Sequence, residues 1–224
     1  MYNVRRFPEN PAGDQDKKRQ MIPKEDSWTI VVAGHWNRMI FSPQWVGEFL
    51  YKVEQLDALV GLSPMAPTVY RNEDVSLAVT EQRMALNCRK LTEACVDQAE
   101  DLACKTLDEL SHTPVSAIGV NFGFVERSPD GTLLQLFSHA DEADMVGCGW
   151  EVSVKKLVRT LRRGDRTLNL VFAYEKGEVE IDANFHKDVS CAKEAAEAIR
   201  GSARRMYESL TGLLETVHGL KLEE

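Results

Sequence analysis

No apolar run in this 224-residue sequence reaches the roughly 20 residues that a membrane-crossing helix needs. The opening stretch, MYNVRRFPENPAGDQDKKRQ, lacks the apolar centre of a secretory signal, so the expected location is the cytoplasm. Cysteine is sparse and odd in number: Cys88, Cys95, Cys104, Cys148 and Cys191, with no C-x-x-C pair. That excludes a zinc knuckle and argues against a disulfide framework. Cys95 and Cys104 are nine residues apart in an apparent helix, so they point to opposite sides of it. Neither G-x-G-x-x-G nor G-x-x-x-x-G-K-[ST] occurs, and G-x-S-x-G and H-E-x-x-H are also missing. No cofactor and no metal are expected. A surplus of positive charge is lacking too. The net charge of -8 and pI near 5.3 argue against a whole-surface grip on nucleic acid or anionic lipid.

What is there is an ordinary globular balance, 43% apolar and 28% charged, with enough length for a sizeable core. Residues 1–28 carry six Lys/Arg and five Asp/Glu, which leaves -9 for the remainder. They show no period and read as a polar N-terminal arm. Residues 29–224 read as a single domain.

Trp28–Ala33 is a short Val- and Ile-rich run that predicts a buried strand. Ser42-Pro43 predicts a helix entry, with Ser as N-cap and Pro at the first helical position. Trp45, Val46, Phe49, Leu50, Val53 and Leu56 then follow at helical spacing. Val75–Arg89 reads as two short strands or one bent strand, with Glu81-Gln82 near a turn. Leu91–Leu110 predicts a helix with one apolar face. Pro114–Arg127 alternates as a strand, with Gly119 and Gly123 leaving a shallow strip on one side. Leu133–Phe137 is expected to return as a strand. Ser138–Gly147 is a short acidic stretch. Trp150, Val152 and Val154 alternate. Leu168–Tyr174 and Val179–Phe185 alternate around a turn at Gly177 and predict an antiparallel hairpin. Ser190–Leu220 predicts one long helix. Its stripe, Ala192, Ala196, Ile199, Ala203, Met206, Leu210, Leu213 and Val217, suits either a helical seam or a core face lying on the sheet. The early alanines favour the sheet, and Gly201 and Gly212 mark places for a bend. The expected fold is α+β with a mainly antiparallel sheet: β-α-β-β-α-β, then a β-meander and a long C-terminal helix.

Chemistry has few places to sit. Gly34-His35-Trp36-Asn37-Arg38 lies where the first strand ends, a usual ligand position in α/β sheets. His35, Trp36, Asn37 and Arg38 are therefore the binding candidates. Against them stands a structural role: Asn37 bonding its own turn, and Trp36 with Trp45 stapling the helix to the sheet. No catalytic residue is assigned. Asp141, Glu142 and Asp144 lack the spacing of a calcium loop. Lys155, Lys156, Arg159, Arg162, Arg163 and Arg166 form the one sharply basic run. It suits a charged edge strand or contact with an acidic partner, and no aromatic residue interleaves it for base stacking.

The stretch Val31–Trp45, VVAGHWNRMIFSPQW, resembles a large uncharacterised bacterial family in which a strand is followed by Gly-x-aromatic-Asn, then Pro-x-Trp and a helix. Gly34, Trp36, Asn37, Phe41, Pro43 and Trp45 carry the likeness. AIGVNFGF, Ala117–Phe124, is similar to that family's later strand. The resemblance spans about residues 29–185 and implies a fold without implying an activity.

The leading expectation is a non-catalytic interaction or assembly protein that associates with a protein partner or with itself as a homo-oligomer. Two alternatives stand beside it. One is a small-ligand binder with a cavity between the sheet and the C-terminal helix. The other is a hydrolase or transferase using the Gly34–Arg38 turn, which requires His35 or Asn37 to face a pocket.

Overall fold

The computed structural model describes residues 19–61 and 66–223. The chain enters as β1 (Arg19–Pro23) and β2 (Thr29–Gly34), then makes a 3-10 turn at Arg38–Ile40. A single turn, α1 (Pro43–Trp45), widens into a π turn over Val46–Tyr51. Four strands follow: β3 (Asp57–Leu59), β4 (Thr68–Arg71), β5 (Val75–Val79) and β6 (Arg83–Cys88). After α2 (Glu93–Glu109) comes the long β7 (Val115–Glu126), then α3 (Gly131–Leu134) with a 3-10 turn at Gln135–Phe137, and α4 (Glu142–Gly147). The meander is β8 (Val154–Arg163), β9 (Arg166–Glu175) and β10 (Glu178–Asp188). The described chain closes with α5 (Ala192–Ile199), α6 (Ala203–His218) and β11 (Leu220–Leu222).

Nine strands of an eleven-stranded sheet run in the order β3-β4-β5-β6-β2-β7-β10-β9-β8, with β1 and β11 off this path; every neighbouring pair along it is antiparallel. The protein is α+β with a large antiparallel sheet. Ile30, Val32, Leu77, Leu86, Val120, Phe122, Phe172 and Ile181 point to one face and are buried there. The long helices α2, α5 and α6 pack together over that face. Alanines 192, 195, 196 and 198 are all buried. Their small side chains let α5 approach α2 closely, with Cys104 Sγ 3.7 Å from the Ala196 carbonyl.

Local chemistry fixes the helix ends. Ser42 Oγ accepts the Trp45 N–H at 3.2 Å, with Pro43 at the first helical position. Thr92 Oγ1 accepts from Cys95 N at α2, and Gly219, at φ 67°, ends α6 in the left-handed region. Most notable is Glu100 on α2. Its carboxylate accepts the backbone N–H groups of Gly201, Ser202 and Ala203. Those are orphan donors at the start of α6, so one helix caps the next with a charge of the favourable sign.

Several sequence expectations are revised by tertiary context. The expected single C-terminal helix is two, α5 and α6, broken where Gly201 takes φ 63°. The six-element opening order gains β1, β3 and β4. Leu133–Phe137 coils, because Asp130 Oδ1 accepts the Leu133 N–H and caps a helical turn there. The apolar spacing that reached Leu56 stops at Tyr51, where the chain reverses at left-handed Lys52. The strand expected from Trp150 begins at Val154 instead, and Trp150 is 73% exposed. Of the polar arm, residues 1–18 lie outside the described residues. Arg19–Pro23 is strand, paired with both β11 and β7. Arg19 anchors it, bonding Asp130 at 2.6 Å and the His218 carbonyl.

His218 gives the fold a pH dependence. It is buried at the end of α6, its ring 4.8 Å from that of Phe172. Burial first, then the nearby Arg159 and Arg19 cations, hold its pKa below the usual 6.5. Below about pH 6.5 the unfolded chain therefore binds a proton that the folded chain refuses. Stability is intact above that pH and falls as pH drops toward the depressed folded value. Replacing His218 with Gln is expected to flatten the decline in urea midpoint between about pH 7 and about pH 5.5. An unchanged slope would show that other groups govern acid sensitivity.

Candidate functional site

The turn after β2 spreads its four candidate residues. Trp36 is 3% exposed and donates its indole N–H to the Val32 carbonyl at 3.2 Å. Its ring lies edge-on to Phe41, and Phe41 lies edge-on to Trp45. Asn37 caps its own 3-10 turn, Oδ1 accepting from Met39 N at 3.1 Å. Arg38 donates to the Ala66 carbonyl at 2.8 Å. His35 is exposed, and its backbone N–H is held by the Pro114 carbonyl at 2.8 Å. These partners occupy Trp36, Asn37 and Arg38 within the fold and do not gather the four side chains on one point. Tyr70 adds a further anchor, donating to the Phe41 carbonyl. The neighbouring cleft, about 790 Å³, lies between α1 with the π turn and the segment that follows, lined by Pro43, Gly47, Lys52, Val53 and Leu56 among others, and includes none of the four candidates.

The space between sheet and C-terminal helices is filled with rings. Trp28, Phe122, Phe124 and Tyr207 pack there at centroid distances of 5.0–6.5 Å. Burial pushes the Cys88 thiol up to about 12 and the Cys104 thiol up to about 11. Both are thus held as inert thiols, since the thiolate is the reactive form. Cys148 and Cys191 are exposed. Among the described residues no group of three or more His, Cys, Asp or Glu side chains is gathered to hold a metal.

The other face of the sheet carries a feature no single strand discloses. Register places Asp57, Arg71, Ser76, Asn87, Thr29, Asn121, Asn184, Asn169 and Thr160 directly opposite one another, strand by strand, across all nine strands. The side chains bond along this row. Asn121 Nδ2 donates to Thr29 Oγ1 at 2.8 Å, Asn184 Nδ2 to Asn121 Oδ1 at 2.7 Å, and Asn169 Nδ2 to Asn184 Oδ1 at 3.3 Å. Thr160 Oγ1 donates to Asn169 Oδ1 at 3.0 Å, and Asn87 Nδ2 reaches Ser76 Oγ at 3.5 Å. At the far end Arg71 Nε lies 3.5 Å from Asp57. Each hydrogen bond among the Asn, Ser and Thr side chains is worth about 1 kcal/mol and forms in one register only, whereas Arg71 Nε makes no hydrogen bond among the described residues.

Small residues flank the row. Val69, Ala78, Ala85, Val31 and Gly119 stand opposite one another on one side of it. Beyond Gly119 this flank continues through His186, Thr167 and Arg162; on the other side Gly123, Asp182, Val171 and Val158 stand opposite one another, with Ser27 filling the space over Gly123. At one margin Lys24 Nζ crosses to Glu180 at 2.6 Å, an exposed pair that raises the lysine's pKa, the Glu180 hydrogen bond foremost.

The basic run lies on β8, the last strand of the sheet, as far as Arg163; Arg166 starts β9 and donates to the Ala198 carbonyl at 3.2 Å. Lys155 pairs with Glu142 of α4 at 2.5 Å.

No family model matches the chain, and no curated protein matches it. Among solved structures, TP0453 in its crystal forms III and IV is similar over 76% of this chain and 74% and 72% of that protein. Identity is 8% and the TM-score 0.22 in both cases, a likeness too slight to carry an argument.

Proposed function

We propose that this chain is a non-catalytic interaction protein of the cytoplasm that joins a second copy of itself through the open face of its sheet. The observation that carries the reading is the bonded polar row with its small flanking residues. Its amides already satisfy one another laterally, so covering them costs less than covering free amides. Val69, Ala78, Ala85, Val31 and Gly119 beside the row allow a second sheet to approach there to the usual distance of about 10 Å. With strands about 4.8 Å apart and alternate residues about 6.8 Å apart, the named positions of the row and its flanks cover roughly 600 Å² in projection, the larger part of what a stable interface needs. A stable interface buries roughly 800 Å² per partner. A two-fold axis near Thr29 and Asn121 would lay row upon row, as an isologous dimer requires. Five free cysteines, three of them buried, suit a reducing compartment.

The test is solution mass by sedimentation at micromolar concentration. The wild type is expected as a dimer. Val31→Lys, which sets an ammonium beside the row, is expected as a monomer with unchanged circular dichroism. A monomeric wild type, or a dimer that survives Val31→Lys, would overturn the reading.

A further inference from the structure

We infer that β8 accepts a short, extended, acidic segment of another protein as an added strand. This goes beyond the dimer reading and uses the backbone edge of β8, at one end of the open face. β8 pairs with β9 through ten consecutive partners, Val154 with Glu175 through Arg163 with Arg166, without a register shift. Its other side has no strand partner among the described residues. A long, bulge-free edge offers a row of backbone donors and acceptors, the template for strand addition.

Side-chain charge selects what can pair there. Lys156 and Arg162 share the open face with Val158 and Thr160. Lys155, Arg159 and Arg163 alternate onto the helix face. Lys155 has its carboxylate in Glu142. Lys156, Arg159, Arg162 and Arg163 are exposed, and none makes a hydrogen bond or ion pair among the described residues. A second copy of β8 would bring five cations against five, so self-pairing along this edge is disfavoured. These charges guard the edge against another basic strand, as edge charges do, and leave it open to an acidic one. An incoming strand bearing Glu or Asp at alternate positions would fill the backbone row and set its carboxylates against the cations of one face of β8. The Lys155–Glu142 pair, 2.5 Å long, is the same contact made within the chain at one end of the strand. A nucleic acid strand would meet the charges without using the backbone row, and β8 has no aromatic ring on which a base would stack.

The test uses the full chain and a fluorescein-labelled peptide, Glu-Val-Glu-Thr-Glu-Val-Glu, read by anisotropy. Binding is expected, with protection of β8 amides in hydrogen exchange. Replacing the central Thr of the peptide with Pro removes a donor and is expected to weaken binding roughly tenfold or more, at constant charge. Lys156→Glu with Arg162→Glu is expected to do the same, and a milder Arg162→Gln variant to weaken binding less at an unchanged fold. No binding, equal binding of the proline peptide, no amide protection, or tighter binding of an oligothymidylate than of the peptide would each overturn the inference. Val31→Lys should leave peptide binding intact. A wild-type dimer that ignores the peptide would sink this inference alone, and a monomer that binds it would sink the dimer reading alone.

Discussion

Gly34→Ala is expected to destabilise the protein by about 3 kcal/mol, at the upper end of ordinary overpacking. Gly212→Ala, the same chemical change, is expected to stabilise it by up to about 1 kcal/mol. The difference lies in what a methyl group would meet. At Gly34 a Cβ would stand 2.4 Å from the Pro114 carbonyl oxygen and 3.2 Å from Val115 Cα. Both are backbone and cannot rotate away. Relief would require β2 to move from β7, straining the His35 N to Pro114 O bond at 2.8 Å and the Gly34 N to Gln82 O bond at 3.0 Å. At Gly212, inside α6, nothing lies within 4 Å. The alanine there simply gains helix propensity. Urea midpoints of the two variants decide the matter. A Gly34→Ala protein as stable as the wild type would remove the packing explanation for this glycine and return the turn to consideration as a binding site.

The same position shows how far a sequence can be read. Gly34 stands out in VVAGHWN because it interrupts an apolar run. A glycine that holds a ligand and a glycine that admits a neighbouring strand look identical in one dimension. Here the neighbour is Pro114, eighty residues on. Asn37 was open to the same two readings, and the Met39 N–H settles its oxygen's partner at 3.1 Å. Elements that rest on their own side chains were legible. α2 announces itself by Thr92 and a buried stripe through Cys95, Ala99, Leu102 and Leu107. β9 and β10 announce themselves by strict alternation around Gly177.

Elements that rest on distant partners were hidden. β1, RQMIP, reads as polar arm because its one fully buried side chain, Met21, and its neighbour Ile22 stand alone between polar residues and a proline. It becomes a strand only against β11 and β7, which are remote in sequence. The break at Gly201 was visible as a weak helix former. That it separates two helices follows from Glu100, which accepts three N–H groups from a position a hundred residues away. The polar row is the extreme case. Asn87, Asn121, Asn169 and Asn184 each look like ordinary outward positions of an amphipathic strand. Their alignment is a property of register, which depends on how nine strands pair rather than on any one of them.

Trp28→Ala is expected to be the most damaging single change, costing about 3–5 kcal/mol. Trp28 is 1% exposed and stands where β2 begins. Its ring is edge-on to Phe122 at 5.5 Å and to Phe124 at 6.0 Å, both on β7, and 5.0 Å from Tyr207 on α6. It therefore joins two central strands to the helix that covers them, and truncation would open a cavity bordered by three rings. Trp28→Phe separates packing from hydrogen bonding. The indole N–H donates to the Gly123 carbonyl at 3.2 Å, but that oxygen also accepts from Lys24 N at 2.9 Å. The carbonyl stays bonded when the indole goes, so the phenylalanine variant should lose only about 1–2 kcal/mol, mostly from reduced ring volume. A phenylalanine variant as unstable as the alanine variant would mean that the indole bond, rather than the ring contacts, holds α6 to the sheet. Near-wild-type urea midpoints for both would show that the sheet and α6 cohere without this residue.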